Sequence, residues 1–290
     1  MRYIETKSIL SRLNGPDDWF GISYNMNLYR GCQHGCIYCD TRSDCYRVGD
    51  ISQISVKSNA LELLSRELEA KRRNKGTIGT GSMNDPYMPA EGELHLTRRA
   101  LGIIALERFP VHVITKGTLV ERDTDILQEI AKTYAAVSFT ITTADDALAS
   151  RIEPHAPPTS ERFRAMADLA RKGIYTGITL MPLLPFINDT EENIRTLVER
   201  AKDAGACYIL PMFGVTLRKG SREHFYAALD RDFPGVGEKY RHQFGDRYEC
   251  FSPRYCKLSG LFRDLCAKYG IETRMRFYRS ETVPRQTSLF

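Results

Sequence analysis

Asn27-Leu28-Tyr29-Arg30-Gly31-Cys32-Gln33-His34-Gly35-Cys36-Ile37-Tyr38-Cys39-Asp40 holds three of the chain's eight cysteines within eight positions. A lone cysteine usually behaves as a small buried hydrophobe. Three this close, with Gly31 and Gly35 to let the backbone curl, predict a thiolate clamp for a metal centre. The fold follows from what is attached to this loop. Gly21 to Tyr29 reads as the strand that delivers it, and the chain beyond alternates apolar runs with amphipathic stretches.

Ser58 is placed to cap a helix on whose face lie Leu61, Leu64 and Leu68. A short strand, Thr77 to Thr80, runs into Gly81-Ser82-Met83-Asn84-Asp85-Pro86, and a helix spans about Thr97 to Arg108. Strand Val111 to Thr115 ends in Lys116-Gly117, and Asp123 is read as the cap of a helix with Ile126, Leu127 and Ile130. Strand Val137 to Ile141 ends in Thr142-Thr143. A helix from about Ser160 to Lys172 stops at Gly173. Strand Ile174 to Met181 follows, then a helix that Asp189 and Glu192 would cap, then strand Tyr208 to Phe213.

Six strand-then-helix units, the last incomplete, predict an α/β fold with a parallel sheet and helices outside. No early strand-glycine-helix fingerprint of a doubly wound dinucleotide fold is present. Polar or special residues follow nearly every strand (Cys32, Asn84, Lys116, Thr142, Pro182), the habit of a barrel whose site lies at the C-terminal mouth. The expected organisation is an irregular N-terminal arm over 1–20 and a barrel over 21–215. A mainly helical C-terminal extension over 216–279, with helices at about Ser221 to Leu229 and Pro253 to Tyr269, leads to an exposed tail over 280–290.

Composition bounds the function. Hydrophobic residues make up 42% and charged residues 27%, ordinary for a globular protein. No apolar run approaches the roughly 18 residues needed to span a bilayer. Met1-Arg2-Tyr3-Ile4-Glu5 lacks an apolar signal core. A cytoplasmic protein is expected, with no membrane partner, in which a cysteine cluster means metal or catalysis rather than disulfides. The net charge is +5. Residues 241–290 hold ten Arg or Lys against five Asp or Glu, so this end carries the whole excess. A solvated face and contact with a phosphate backbone both fit it.

The cluster itself leaves alternatives open. Cys45 would complete a four-ligand zinc site, and inert buried cysteines are the bland reading. Three ligands on a four-iron cluster leave one iron open, which is useful only if something coordinates it; plain electron transfer uses four cysteines.

Cys32-x3-Cys36-x2-Cys39 with an aromatic at Tyr38 resembles the signature of the radical S-adenosylmethionine superfamily. Asn27 to Cys39, the Asn84-Asp85 turn, Thr115-Lys116 and Arg151-Ile152-Glu153-Pro154 resemble the branch related to spore photoproduct lyase. The likeness covers about Gly21 to Phe213. It implies a partial (β/α)6 TIM-type barrel in which Cys32, Cys36 and Cys39 hold a [4Fe–4S] cluster and S-adenosylmethionine chelates the fourth iron. One electron then cleaves the sulfonium to methionine and a 5′-deoxyadenosyl radical that abstracts hydrogen from substrate.

By the same resemblance Tyr38 lies near the adenine, and the Gly79 to Asp85 turn, with Asn84 and Asp85, binds the methionine amine. Lys116 pairs with the methionine carboxylate. Thr140 or Thr142 bonds that end or the ribose, and Arg151 and Glu153 sit just beyond. No residue is singled out as catalytic. Ser82 stands where the lyase carries the cysteine that returns a hydrogen atom, and an alcohol O–H bond is too strong for that donation. Cys45 is a candidate substitute thiol.

Cys250, Cys256 and Cys266 are better read as packing than as a second cluster, and Cys207 as core. The last five residues, Gln286-Thr287-Ser288-Leu289-Phe290, resemble the peptide by which bacterial repair proteins dock on the sliding clamp. With Arg274, Arg276, Phe277, Tyr278 and Arg279 upstream, this end suits nucleic acid. The reading reached is a radical enzyme that needs an electron donor and acts on nucleic acid in DNA repair or modification. Its rivals are an enzyme of the same chemistry acting on a peptide or small molecule, and a non-catalytic iron–sulfur or zinc module that binds DNA or the clamp.

Overall fold

The structure, a computed structural model, describes residues 1–15 and 17–279. Six parallel strands carry the fold: β1 (Tyr24–Met26), β2 (Ile78–Gly79), β3 (Val111–Thr115), β4 (Ala135–Thr140), β5 (Tyr175–Leu180) and β6 (Tyr208–Pro211). Each pairs with its successor in sequence order, all in parallel register. A doubly wound sheet reverses its strand order at the switch point; this one never does. Leu10–Arg12 adds an antiparallel strand beyond β1, so the pairing stays open between that edge and β6. The result is a partial (β/α)6 barrel.

Both faces of the sheet are covered, which is why Ala135–Thr140 is buried at every position. Val111, Val113, Val137, Phe139, Ile178 and Leu180 face outward into the main core. They meet the crossover helices Ala60–Ala70, Leu96–Leu106, Thr124–Ala131, Thr159–Arg171 and Glu191–Asp203. Leu64, Leu101 and Val198 are fully enclosed there, each stabilising the fold by about 1.5–3 kcal/mol. Several alternate positions are polar and pair with one another: His112 Nε2 lies 2.8 Å from Ser138 Oγ, which bonds Tyr208 Oη at 2.7 Å.

Several local expectations are corrected. The N-terminal stretch read as irregular contributes two strands, Arg2–Ile4 on Ser55–Lys57 and Leu10–Arg12 on β1. Ser58 does not cap its helix; its hydroxyl donates to the Ile4 carbonyl. Asp123 does stand at the N-cap position of its helix, but its carboxylate makes no capping bond and is held by Arg122 at 2.7 Å and Arg98 at 3.1 Å instead. Thr190, not Asp189, accepts from the Asn193 N–H at 3.1 Å. Cys207 is exposed rather than core.

Beyond 215 the chain is not only helical. Gly214–Thr216 pairs antiparallel with Glu249–Phe251. Helix Val236–Phe244, missing from the sequence reading, lies between Ser221–Asp232 and Tyr255–Tyr269. The last of these packs on Glu191–Asp203. Residues 280–290, which include the docking peptide Gln286 to Phe290, lie outside the described residues. Among those described, no helix is long and apolar enough to cross a membrane.

Candidate active site

The cysteine loop is fastened on two sides. The Cys32 N–H donates to the Ile51 carbonyl at 2.7 Å and the Ile37 N–H to that of Ile152 at 3.0 Å. Gly31 has φ +91°, and a Cβ there would meet the Ile51 oxygen at 2.6 Å, so only glycine fits. Held this way, Cys32, Cys36 and Cys39 line one wall of a cavity of about 340 Å³ at the C-terminal ends of the strands. Burial pushes the Cys32 thiol up to about 11, with Asp85 adding to it. Burial also raises Cys36, against the pull of Lys116. A thiol raised in this way loses its proton most readily when a metal cation takes the proton's place, so deprotonation and metal binding would be coupled.

Among the described residues no three His, Cys, Asp or Glu side chains surround a single-ion position. Cys45 is exposed rather than completing such a set. The three cysteines line one cavity together.

The turn after β2 is built on Gly81, whose missing Cβ lets it approach the Ile114 carbonyl; a Cβ would sit 2.4 Å from that oxygen. Asn27 Oδ1 accepts the Met83 N–H at 3.2 Å, and Asn84 Nδ2 donates to the Tyr29 carbonyl at 2.8 Å. Asp85 gathers the Tyr87 N–H at 2.9 Å, the Lys116 N–H at 2.6 Å and the Thr115 hydroxyl. His34 Nε2 stands 3.1 Å from Asp85 Oδ2. Burial alone would raise the Asp85 carboxyl, but His34, Thr115 and the Lys116 N–H together hold it well below the usual carboxylate range.

Glu153 organises the wall behind the cysteines. It accepts the Tyr38 hydroxyl, lies 4.0 Å from Lys116 Nζ and 2.5 Å from Arg162 Nη1, and is 1% exposed. Lys116 Nζ also lies 5.7 Å from the centroid of the Tyr38 ring. Burial disfavours the Lys116 ammonium, but Cys36 and Glu153 outweigh it and raise the group. Burial likewise works against the Glu153 carboxylate, and Arg162 and Lys116 overcome it, holding the group below its ordinary range.

The sequence-derived candidates therefore divide. Tyr38, Asn84, Asp85, Lys116 and Thr140 meet the three cysteines in one cavity, with Glu153 directly behind. The Thr140 and Thr179 hydroxyls bond at 2.9 Å. Thr142 is buried with its hydroxyl unpartnered and does not line the cavity. Arg151 turns away, its guanidinium 4.1 Å over Phe233 and bonded to the Asp232 carbonyl. Ser82 is exposed at the rim, where Asn27 Nδ2 donates to its hydroxyl at 3.2 Å. Met181, Met212 and Val215 make an apolar wall. Cys250 and Cys266 are buried in separate cores and Cys256 is exposed.

Sequence reasoning missed Arg162. Its signal was a charge at the buried spacing of its helix, among Thr159, Phe163, Met166 and Leu169.

The family model of the radical SAM superfamily matches residues 26–201. An uncharacterized protein of Mycobacterium tuberculosis is 30% identical over 92% of this chain and 82% of its own length. A radical SAM Nα-GlyT isomerase of Pseudomonas phage M6 is 27% identical over 63% of this chain and 37% of its own. Spore photoproduct lyase, solved with a dinucleoside spore photoproduct, has a TM-score of 0.68 at 14% identity, covering 92% of this chain and 78% of that one. A radical S-adenosylmethionine methyltransferase of Kitasatospora setae, solved with cobalamin and a [4Fe–4S] cluster, has a TM-score of 0.57 at 13% identity over 83% and 52%.

A [4Fe–4S] cluster and S-adenosylmethionine are the cofactors of this superfamily. The donor set here fits both: three soft thiols on one wall, with a cation, an amide and a hydroxyl beside them in a cavity that extends past the sulfurs. The sequential parallel barrel, the three-cysteine loop at its mouth and the match over most of the barrel agree, and the chain belongs to the radical S-adenosylmethionine superfamily.

Proposed function

We propose that this radical enzyme abstracts a hydrogen atom from a nucleic acid, in a repair or modification reaction. The observation that carries the reading is one cavity lined by the three thiols and polar groups together with Met181, Met212 and Val215. When bound, the cluster and S-adenosylmethionine supply the electron and the 5′-deoxyadenosyl radical. Everything else falls to the chain. Cys32, Cys36 and Cys39 hold the iron, and Lys116 takes the methionine carboxylate with Thr140 beside it. Asn84 and Asp85 shape the turn that receives the amine, and Tyr38 supports the adenine. The apolar wall keeps water from the reacting carbon.

Nucleic acid is favoured by the dinucleoside seen in a protein of the same fold and by the basic, aromatic end. In that end Arg276 lies 4.5 Å over the Tyr175 ring, Arg274 is exposed, and Phe277 rests its ring against Gly21 with part of it exposed. The sliding clamp, through Gln286 to Phe290, and an electron donor belong to the same proposal, in a cytoplasm that keeps the thiols reduced. Ser82 cannot return a hydrogen atom, so the reaction is not the lyase's unchanged.

The test is anaerobic reconstitution followed by 5′-deoxyadenosine measurement with and without DNA carrying deuterium. DNA-dependent formation with deuterium recovered in 5′-deoxyadenosine is expected. Cofactor cleavage indifferent to every DNA tried, with no deuterium transfer, would reject the nucleic acid.

A further inference from the structure

Glu153 and Arg162 are each only 1% exposed. Apolar residues of similar size often serve stability as well as a buried ion pair does, so stability alone is a weak account of this one. What distinguishes the pair is its position. Tyr38, which donates its hydroxyl to Glu153, sits between two of the cluster cysteines. Lys116, Glu153 and Arg162 all act electrostatically on Cys36.

The charge balance there is unequal. One carboxylate faces two cations, Lys116 at 4.0 Å and Arg162 at 2.5 Å. Arg162 is fixed by more than the carboxylate: Nη1 donates to the Thr140 carbonyl at 2.9 Å and Nε to that of Pro157 at 2.8 Å. Its Nη2 has no partner among the described residues. Asp85 adds a second carboxylate that acts on Lys116 and Cys32, so fixed charges of both signs lie around Cys36, in a place where salt screens them little. Three thiolates and an iron–sulfur core are anionic, and adding an electron makes them more so. Local charge is one of the factors that set such a cluster's potential.

We propose that the buried Glu153–Arg162 pair, together with Lys116, sets the reduction potential of the cluster held by Cys32, Cys36 and Cys39. The proposal rests on the superfamily assignment. Glu153 and Arg162 are positioning residues that act through charge and touch no substrate.

The test is an anaerobic redox titration of the reconstituted protein, followed by electron paramagnetic resonance of the reduced cluster. Iron content and thermal midpoint are measured on every variant. Glu153→Gln leaves two cations behind Cys36 and is expected to raise the potential. Arg162→Met removes one, while Lys116 still neutralises Glu153, and is expected to lower it. Arg162→Lys keeps the charge and is expected to stay near wild type even if its thermal midpoint falls.

Arg164→Met, on the same helix with a side chain 59% exposed, is the control expected to change nothing. Shifts of the same sign for Glu153→Gln and Arg162→Met overturn the proposal. So does a shift for Arg162→Lys as large as for Arg162→Met. Should Arg162→Met fail to hold iron, Glu153→Gln decides alone, and an unshifted potential rejects the idea. A wild-type protein that takes up no iron would instead overturn the superfamily reading beneath it.

Discussion

Asp85 Oδ2 accepts the backbone N–H of Lys116 at 2.6 Å, tying the turn after β2 to the end of β3. The same carboxyl fixes Thr115 and faces His34 from the cysteine loop. Three strand ends, each carrying a candidate ligand group, thus share one anchor. Nothing else described couples them so directly.

Asp85→Asn keeps the shape but turns one acceptor oxygen into a donor that faces the Lys116 N–H. Hydrogen bonds to a charged group are worth about 1.5–3 kcal/mol each, and a loss of that order is expected in urea denaturation of the apoprotein. S-adenosylmethionine binding by the loaded protein should weaken with it. The folded carboxyl lies below its unfolded value of about 3.9. Its contribution is therefore complete above that pH and fades as pH falls through the folded value. The variant should lack this acid-side loss, and a variant curve that keeps the wild-type slope would contradict the assignment.

His112 supplies a second pH signature, away from the metal loop. Its ring is fully buried in the barrel interior, and burial lowers it to about 4 despite the Phe20 backbone and Asp17, which work the other way. An unfolded histidine titrates near 6.5. Between those values the unfolded chain takes up a proton that the folded chain refuses, so stability drops as pH falls. The whole loss is about 3 kcal/mol, at 1.36 kcal/mol per unit. Denaturation midpoints at pH 7.5, 6 and 5 should show it in wild type and much less in His112→Gln. Parallel slopes would exclude His112 as the cause.

What was legible in the sequence was local or periodic. The three-cysteine loop is compact, and β3 through β6 announce themselves as apolar runs bounded by glycine or polar turns. Long-range pairing was not legible. Ser55–Lys57 is three residues long and is a strand only because Arg2–Ile4 and Tyr29–Arg30 flank it. Val236–Phe244 was hidden behind the Phe233-Pro234-Gly235 turn signal. Arg151 and Glu153 looked equivalent in one short run, yet Arg151 lies in the last turn of helix Asp146–Ile152 against Phe233 while Glu153, just past its end, is buried against Tyr38 and Arg162. The partner of Glu153 at Arg162 read as one more helix charge until the packing enclosed it.

The tail gives a prediction that is independent of the site. Deleting Gln286 to Phe290 is expected to weaken binding to a sliding clamp at least tenfold in surface plasmon resonance. The five residues lie well past the strands that carry the cavity, so 5′-deoxyadenosine formation should be unchanged. Clamp binding unaffected by the deletion would discard the docking reading.

Cysteine identity supplies the last prediction. Cys36 is one of three thiols on the cavity wall. Cys36→Ala should cut iron from about four per chain, the content of a [4Fe–4S] cluster, to a small residue. Cys250 is buried among Phe225, Tyr226 and Tyr240, in the same apolar cluster as Cys36, but it does not line the cavity. Replacing its sulfur by hydrogen leaves a small void and costs about 1 kcal/mol, comparable to losing one buried methyl. Cys250→Ala should therefore keep its iron and lose only a few degrees of thermal midpoint. Equal iron loss from the two variants would mean that the thiols facing the cavity are not the ones that hold the cluster.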